Sequence, residues 1–96
     1  MFVILLTYKK PLSEIDKYLE AHRAFLEIGY KKNYFIASGP KTPRTGGVII
    51  SQLQDRKSLD DILSNDPFHI HQLVEYEIIE FTPVKYHHDF IKFMTP

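Results

Sequence analysis

Two residues of this chain could form an acid-base pair, although they lie far apart in the sequence. His22 falls within the apolar face of a long helical pattern, and Asp66 stands where the chain turns toward its last strand. The other members of that face recur at steps of three and four residues: Ile15, Tyr18, Leu19, Phe25, Leu26 and Gly29. A carboxylate beside an imidazole fixes its tautomer and supports its protonated form, which makes the ring a competent general base or acid near neutral pH.

The same two residues also fit a purely structural interpretation. His22 can pack in the core and bond a backbone carbonyl, while Asp66 can cap a helix that has Pro67 at its first position. Buried polar groups are usually satisfied in this way. The pattern alone favours the structural interpretation, because sequence spacing does not show that the two side chains meet.

Other residues that could serve a site give weaker signals. Tyr8 stands at a strand end, where a side chain can line a pocket, and Arg44 lies in a loop as either an anion clamp or a solvated charge. Four further histidines, even with Asp89, do not form the convergent ligand set that zinc needs: His69, His71, His87 and His88. Gly46-Gly47 leads into a strand, whereas a phosphate loop opens a helix. We therefore expect no metal and no cofactor.

The composition restricts the partners of the protein. The 96 residues suffice for one domain, residues 1–96, in which Lys plus Arg equals Asp plus Glu at 12 each. Without a positive excess, we expect no binding to nucleic acid or to membranes. The chain has no cysteine, and Met1 to Leu6 is too short and lacks the basic flank of a secretory signal. These features predict a cytoplasmic protein.

The first half of the chain contains strand and helix signals in alternation. Phe2 to Tyr8 is an apolar run typical of a strand. Ser13 and Asp16 have the spacing of a capping box, which predicts a helix over residues 13 to 31 or 32. Asn33 is then expected as a left-handed cap at the helix end.

The middle of the chain predicts two further strands and a second helix. Tyr34 to Ser38 forms the second predicted strand, which we expect Gly39-Pro40 to stop, and Val48 to Leu53 forms the third. Ser58 and Asp61 repeat the capping-box spacing at the start of the second helix. Its apolar face consists of Leu59, Ile62 and Leu63.

The last part of the chain predicts a fourth strand, from Val74 to Thr82, and a short amphipathic segment from Tyr86 to Met94. Within the strand, the apolar residues change parity at Ile79. A bulge, or a change in which face is covered, would explain the change.

The predicted β-α-β-β-α-β order is that of the ferredoxin-like α+β fold, an antiparallel sheet with both helices on one face. The first three strands are apolar at nearly every position, whereas a sheet with one face in water should alternate. A second copy of the chain is the most economical cover for that face. We therefore expect a homodimer, the dimeric α+β barrel, with a pocket between helices and sheet.

Several short motifs occur together in the order and spacing of one family. They are Ala21-His22, Ser38-Gly39-Pro40, Asp66-Pro67-Phe68 and the run from Tyr76 to Phe81 that leads to Pro83. The chain thereby resembles the YciI-like family, the proteins of the YCII-related domain. The resemblance implies a dimeric α+β barrel with a His-Asp pair in a pocket, here His22 and Asp66. It also implies that Phe68 lies beside the pair and that the pocket wall is made by Ser38, Gly39 and Pro40.

The chain departs from this family pattern at two places. Members often carry Arg or Pro just ahead of the helix histidine, where this chain has Leu19-Glu20-Ala21, so that Arg44 or Lys41 would have to hold an anion. Members also tend to have Ala-Gly where this chain has His71-Gln72, which would add polar bulk near the pocket. Both departures indicate a substrate different from that of relatives.

These observations lead to two hypotheses about function. The first is a cytoplasmic homodimeric enzyme in which His22, oriented by Asp66, acts as general base or acid on a small cyclic or aromatic molecule. Isomerisation, elimination and hydrolysis all suit such a cofactor-independent pair, and the fold does not choose among them. The second hypothesis is a non-catalytic homodimer that binds or senses a small molecule in the same pocket. A purely structural protein would have no pocket.

Overall fold

A four-stranded antiparallel sheet forms one layer of the molecule, and helices cover one of its faces. The computed structural model describes residues 1–94. The strands are β1 (Phe2–Tyr8), β2 (Phe35–Pro40), β3 (Gly46–Ser51) and β4 (Val74–Glu80), in the spatial order β2-β3-β1-β4. The helices are α1 (Leu12–Lys31), α2 (Arg56–Leu63) and α3 (Pro67–Ile70), and a 3-10 helix follows at His88–Phe93. Apart from the short α3, this is the predicted ferredoxin-like α+β order.

The hydrophobic core lies between the sheet and the helices. Along β1, Phe2, Ile4 and Leu6 are buried, whereas Val3 and Leu5, which point to the opposite face, are only half-buried. The helices add buried residues to the same cluster: Ile15 from α1, Leu59 and Leu63 from α2, and Phe68 from α3. The helices therefore pack on one face of the sheet, as the sequence predicted.

The start of α1 differs from the prediction, and its end agrees with it. The helix begins at Leu12 after Pro11, whose carbonyl accepts the N–H groups of residues 14 and 15 at 2.9 and 3.2 Å. Ser13 therefore lies inside the first turn, and the predicted capping box with Asp16 is wrong. At the other end, Asn33 has φ of 61°, the expected left-handed conformation.

At 20 residues α1 is long, yet no helix within residues 1–94 is apolar and long enough to cross a membrane.

The start of α2 is also set by a different residue from the one predicted. Asp55 is the N-cap, and its carboxylate accepts the backbone N–H of Ser58 at 2.9 Å. Ser58 therefore lies in the first turn, and the predicted capping box with Asp61 is wrong. Aspartate and serine are comparable caps, so a local pattern does not decide between candidates three residues apart.

The second strand continues through the residues that were expected to end it. β2 includes Gly39 and Pro40, which pair with Val48 and Gly47 of β3. β2 is an edge strand with β3 as its one neighbour in the sheet. Pro40 lacks a backbone N–H, but no second strand needs that donor, so the sheet accommodates the proline. The prediction that Gly39-Pro40 stops the strand is therefore wrong.

The change of parity in the fourth strand does not come from a bulge in that strand. β4 pairs with β1 without interruption, from Phe2 opposite Glu80 to Tyr8 opposite Val74. Ile79 simply points to the face without helices, where it is 45% exposed. Beyond β4, the segment predicted as amphipathic contains the 3-10 helix, while the last two residues of the chain lie outside the described part.

The third strand begins at Gly46, two residues earlier than predicted, and there its backbone passes close to β1. A Cβ atom at Gly46 would lie 1.7 Å from the carbonyl oxygen of Leu6, so a larger residue cannot occupy this position without moving the backbone. At Gly39, by contrast, a Cβ atom would meet nothing within 4 Å.

We predict that Gly46→Ala lowers the free energy of unfolding by roughly 2 kcal/mol or more, because the added methyl group forces β3 away from β1. Gly39→Ala is the matched control and should change stability by less than about 0.5 kcal/mol. Urea unfolding of the two variants measures both values. Equal stability of the variants would contradict the close approach of the strands.

Candidate active site

The side chains of His22 and Asp66 meet in the folded chain. Nδ1 of His22 lies 2.7 Å from Oδ1 of Asp66, although 44 residues separate them. His22 is supplied by the middle of α1, and Asp66 by the N-cap position of α3. Asp66 is completely buried, and His22 is 8% exposed. The contact that the sequence pattern left open is therefore present.

Asp66 also accepts two other hydrogen bonds, so that its carboxylate joins three elements. Oδ1 accepts the backbone N–H of Phe68 at 3.0 Å, which caps α3, and Oδ2 accepts the hydroxyl of Tyr76 on β4 at 2.8 Å. Burial, together with the adjacent Asp66 charge, raises the pKa of the Tyr76 phenol far above its usual range, and Tyr76 therefore remains a donor. The structural and paired interpretations of Asp66 thus both hold.

Sequence reasoning missed Tyr76 as a member of this cluster. Two signals pointed to it: the residue shares the parity of the buried side of β4, and a buried phenol needs a hydrogen-bond partner. Neither signal identifies that partner as Asp66, because the contact depends on how α3 returns to the sheet.

The His22 ring is held in a defined orientation. It stacks on the Phe68 ring with centroids 4.0 Å apart and planes 4° from parallel. Because an ionised carboxylate can only accept hydrogen bonds, Nδ1 carries the hydrogen toward Asp66. In the neutral ring Nε2 is then the basic nitrogen, and the ring lines a cavity.

A cavity of about 600 Å³ lies between α1 and the sheet. Six of the residues singled out in the sequence line it together with His22: Tyr8, Ser38, Gly39, Pro40, Arg44 and Phe68. Further lining residues are supplied by α1 and the strands: Leu6, Leu19, Arg23, Leu26, Glu27, Tyr30, Gly47, Val48 and Ile49. Asp66 lies behind His22, outside the lining.

Polar contacts mark two parts of this cavity. Nη2 of Arg44 lies 2.6 Å from Oδ1 of Asp16, and its guanidinium carbon lies 5.9 Å from the centre of the Tyr8 ring. This ion pair raises the pKa of Arg44 and holds its charge at the cavity. Tyr30 and Ser38 share a hydrogen bond of 2.6 Å between their hydroxyl oxygens.

Other polar residues considered in the sequence lie elsewhere. His71 is exposed and stacks on Tyr18 with ring centroids 4.0 Å apart, outside the cavity lining, so it does not add polar bulk there. Lys41 approaches Thr7 and is also outside the lining. In the 3-10 segment, His87, His88 and Asp89 each offer a potential ligand atom within 4.8 Å of the others, and all three are exposed.

Comparison with known proteins identifies the family. The model of the YCII-related domain matches residues 1–82. The chain belongs to the YCII-related domain family. The matched region of this YCII-related domain protein contains every strand and α-helix of the fold, and the segment with the 3-10 helix follows it.

A solved structure shares the fold of this YCII-related domain protein. It is the 5-chloro-2-hydroxyhydroquinone dehydrochlorinase of Burkholderia phenoliruptrix, in complex with 2,5-dihydroxybenzoquinone. The two chains superpose with a TM-score of 0.70 and 20% sequence identity, over 85% of this chain and 94% of the other. Among curated proteins, none matches the sequence. At this identity the structural likeness supports the fold alone.

We predict that Asp66→Ala lowers the free energy of unfolding by about 3 kcal/mol or more, because it leaves buried donors without an acceptor. Asp55→Ala provides the matched control, since Asp55 is also an N-cap but is exposed, and it should cost about 1 kcal/mol. Urea unfolding at neutral pH measures both losses. If the two losses are equal, Asp66 contributes no more to stability than an ordinary helix cap.

Proposed function

We propose that this YCII-related domain protein is an enzyme in which His22 acts as general base or acid on a small cyclic or aromatic molecule. One observation supports this most directly: a ring whose Nδ1 is bonded to a buried carboxylate lines a cavity of about 600 Å³. Asp66 would orient the ring and stabilise its protonated form. In this proposal Asp66 acts through His22 and does not touch the substrate.

The proposed chemistry needs only one proton carrier. Nε2 of neutral His22 accepts a proton from a C–H or O–H group of the substrate or from water. In an elimination, the electron pair of the broken bond expels a leaving group, and the imidazolium later returns its proton to the leaving group or to solvent. In an isomerisation, the same proton is returned to another atom of the substrate. Hydrolysis requires the ring to activate water.

The cavity favours a compact substrate with an apolar ring and at least one oxygen. Leu19, Leu26 and Ile49 supply apolar lining, while Arg44 offers a cation to an oxyanion. The structural neighbour is a dehydrochlorinase in complex with a dihydroxybenzoquinone. We therefore propose elimination from hydroxylated rings as the first reaction class to test.

The function is tested with His22→Asn, Asp66→Asn and the double variant. Asparagine at position 66 keeps the shape of the cap but removes the charge. If the residues act as a pair, each single variant lowers kcat by about a hundred- to ten-thousandfold, and the double variant is little worse than either. Rates are measured on ligands found by thermal shift, beginning with chlorinated hydroxyhydroquinones and hydroxybenzoquinones.

Controls separate this mechanism from its alternatives. His71→Asn removes an exposed imidazole outside the cavity and should leave kcat unchanged. Urea unfolding of each variant shows whether a lost rate is merely lost folding. Ligands that bind the parent protein at the cavity without turnover would favour the non-catalytic binder or sensor. Small additive losses of rate, with a large loss of stability, would show that His22 is a core residue.

We also propose that the protein is a homodimer, joined through the sheet face that carries no helices. Val3, Leu5, Val48 and Ile50 are half-buried there, and Ile79 is 45% exposed. Exposure of a continuous apolar sheet face to water is unfavourable. A second copy would cover it by stacking sheet on sheet, with identical patches in contact.

A chain without cysteine fits a reducing compartment, and we propose a cytoplasmic location.

Light scattering at micromolar concentration should therefore give the mass of two chains. Ile50→Glu places a charge on the proposed interface and should yield monomers. Ile70→Glu is the matched control, because Ile70 is 57% exposed on α3, and it should leave the mass unchanged. A parent protein that is monomeric under these conditions would overturn the proposal.

A further inference from the structure

The hydroxyl of Tyr76 donates a hydrogen bond to the Asp66 oxygen that His22 does not contact. Oδ1 of Asp66 is bonded by both His22 and the N–H of Phe68. Oδ2 is bonded by Tyr76 at 2.8 Å, and no other residue of the described part supplies it with a donor. Tyr76 lies on the helix-covered face of β4, opposite Leu6 of β1, so its ring is fixed by the sheet.

We propose that Tyr76 is a positioning residue that keeps Asp66 ionised and sets the pH at which the His22 ring takes up a proton. Tyr76 does not line the cavity and would act only through Asp66. The proposal deepens the function proposed for His22, but the effect on the titration of the ring does not depend on whether the protein is an enzyme.

Because Asp66 is buried, its hydrogen-bond donors determine how stable its charged form is. A carboxylate without exposure to water is unstable in its charged form unless hydrogen bonds replace the lost solvation. Removing the phenolic hydroxyl leaves Oδ2 buried and unpaired, which makes the carboxylate more basic. A more basic carboxylate holds the Nδ1 hydrogen more firmly and favours the protonated ring. Without Tyr76, His22 should therefore be protonated at a higher pH.

The other ionisable groups around this cluster stay in place when only that hydroxyl is removed. On the cavity side they are Tyr8 from β1, Arg23, Glu27 and Tyr30 from α1, and Arg44 from the β2-β3 loop. From α3, the His69 ring lies 5.9 Å from the Tyr76 ring. A change in the His22 titration in Tyr76→Phe can therefore be attributed to the missing donor.

The test is an NMR titration of the ring nitrogens in protein labelled with ¹⁵N-histidine, with the His22 signal assigned by its absence in His22→Asn. In Tyr76→Phe we expect the midpoint of the His22 titration to rise by about one pH unit. Tyr34→Phe removes a phenol outside the cluster and should leave the midpoint unchanged. If an activity is found, the acid limb of its pH profile should move with the NMR midpoint.

A second variant keeps the test decisive if Tyr76→Phe does not fold. Incorporating 3-fluorotyrosine at position 76 retains the hydroxyl and makes it a stronger donor, so the midpoint of His22 should move in the opposite direction, to lower pH. Loss of stability with no change of midpoint in either variant would overturn the proposal and make Tyr76 a purely structural residue. A shifted midpoint without any turnover would support this role of Tyr76 while contradicting the enzymatic function.

Discussion

The buried carboxylate of Asp66 is the constraint around which the helical side of this fold is arranged. A charge without access to water must be compensated by hydrogen bonds, and here the donors come from three separate elements. His22 on α1, the first turn of α3 and Tyr76 on β4 all converge on one side chain. Moving any of these elements would leave a buried group unpaired. The arrangement of α1, α3 and β4 is therefore coupled to the geometry of the His22 ring.

This coupling explains why the structural and functional interpretations of the pair do not exclude each other. Asp66 is a helix cap, as the Pro67 that follows it suggests, and it is also the partner of His22. Asp55 is a cap on the surface, and it accepts the N–H and the hydroxyl of Ser58, both within the first turn of its own helix. At Asp66 the cap is buried, so side chains take the place of water as donors to the carboxylate, and the bond to His22 orients the imidazole.

Apart from the short α3, the sequence predicted the element order, the buried face of α1 and the bounds of β1. The helix face follows from a long periodic pattern, and β1 from an uninterrupted apolar run. The predicted starts of α1 and α2 were wrong. At α2, Asp55 and Ser58 are nearly equal cap candidates, and a local pattern does not choose between them. At α1 the helix begins after Pro11 without any side-chain cap bond, so a capping pattern at Ser13 could not locate the start. The approach of His22 to Asp66 was inferred from family resemblance and not from spacing. The bond between Tyr76 and Asp66 was not predicted, because it forms only when a strand and a distant helix cap are brought together.

The strand order β2-β3-β1-β4 also divides the site into two parts with different physical requirements. The cavity lies over β2, β3 and β1, where Ser38, Pro40 and Ile49 form part of its lining. Asp66 and Tyr76 belong to the side of β4 and α3, where the charge is sealed from water. His22 stands at the boundary, with Nδ1 in the sealed part and its ring against the cavity. Phe68 belongs to both parts, because it lines the cavity and also stacks on the His22 ring. The lining from β2 and β3 makes no hydrogen bond to the pair, so it can change to suit another ligand while the ring stays oriented.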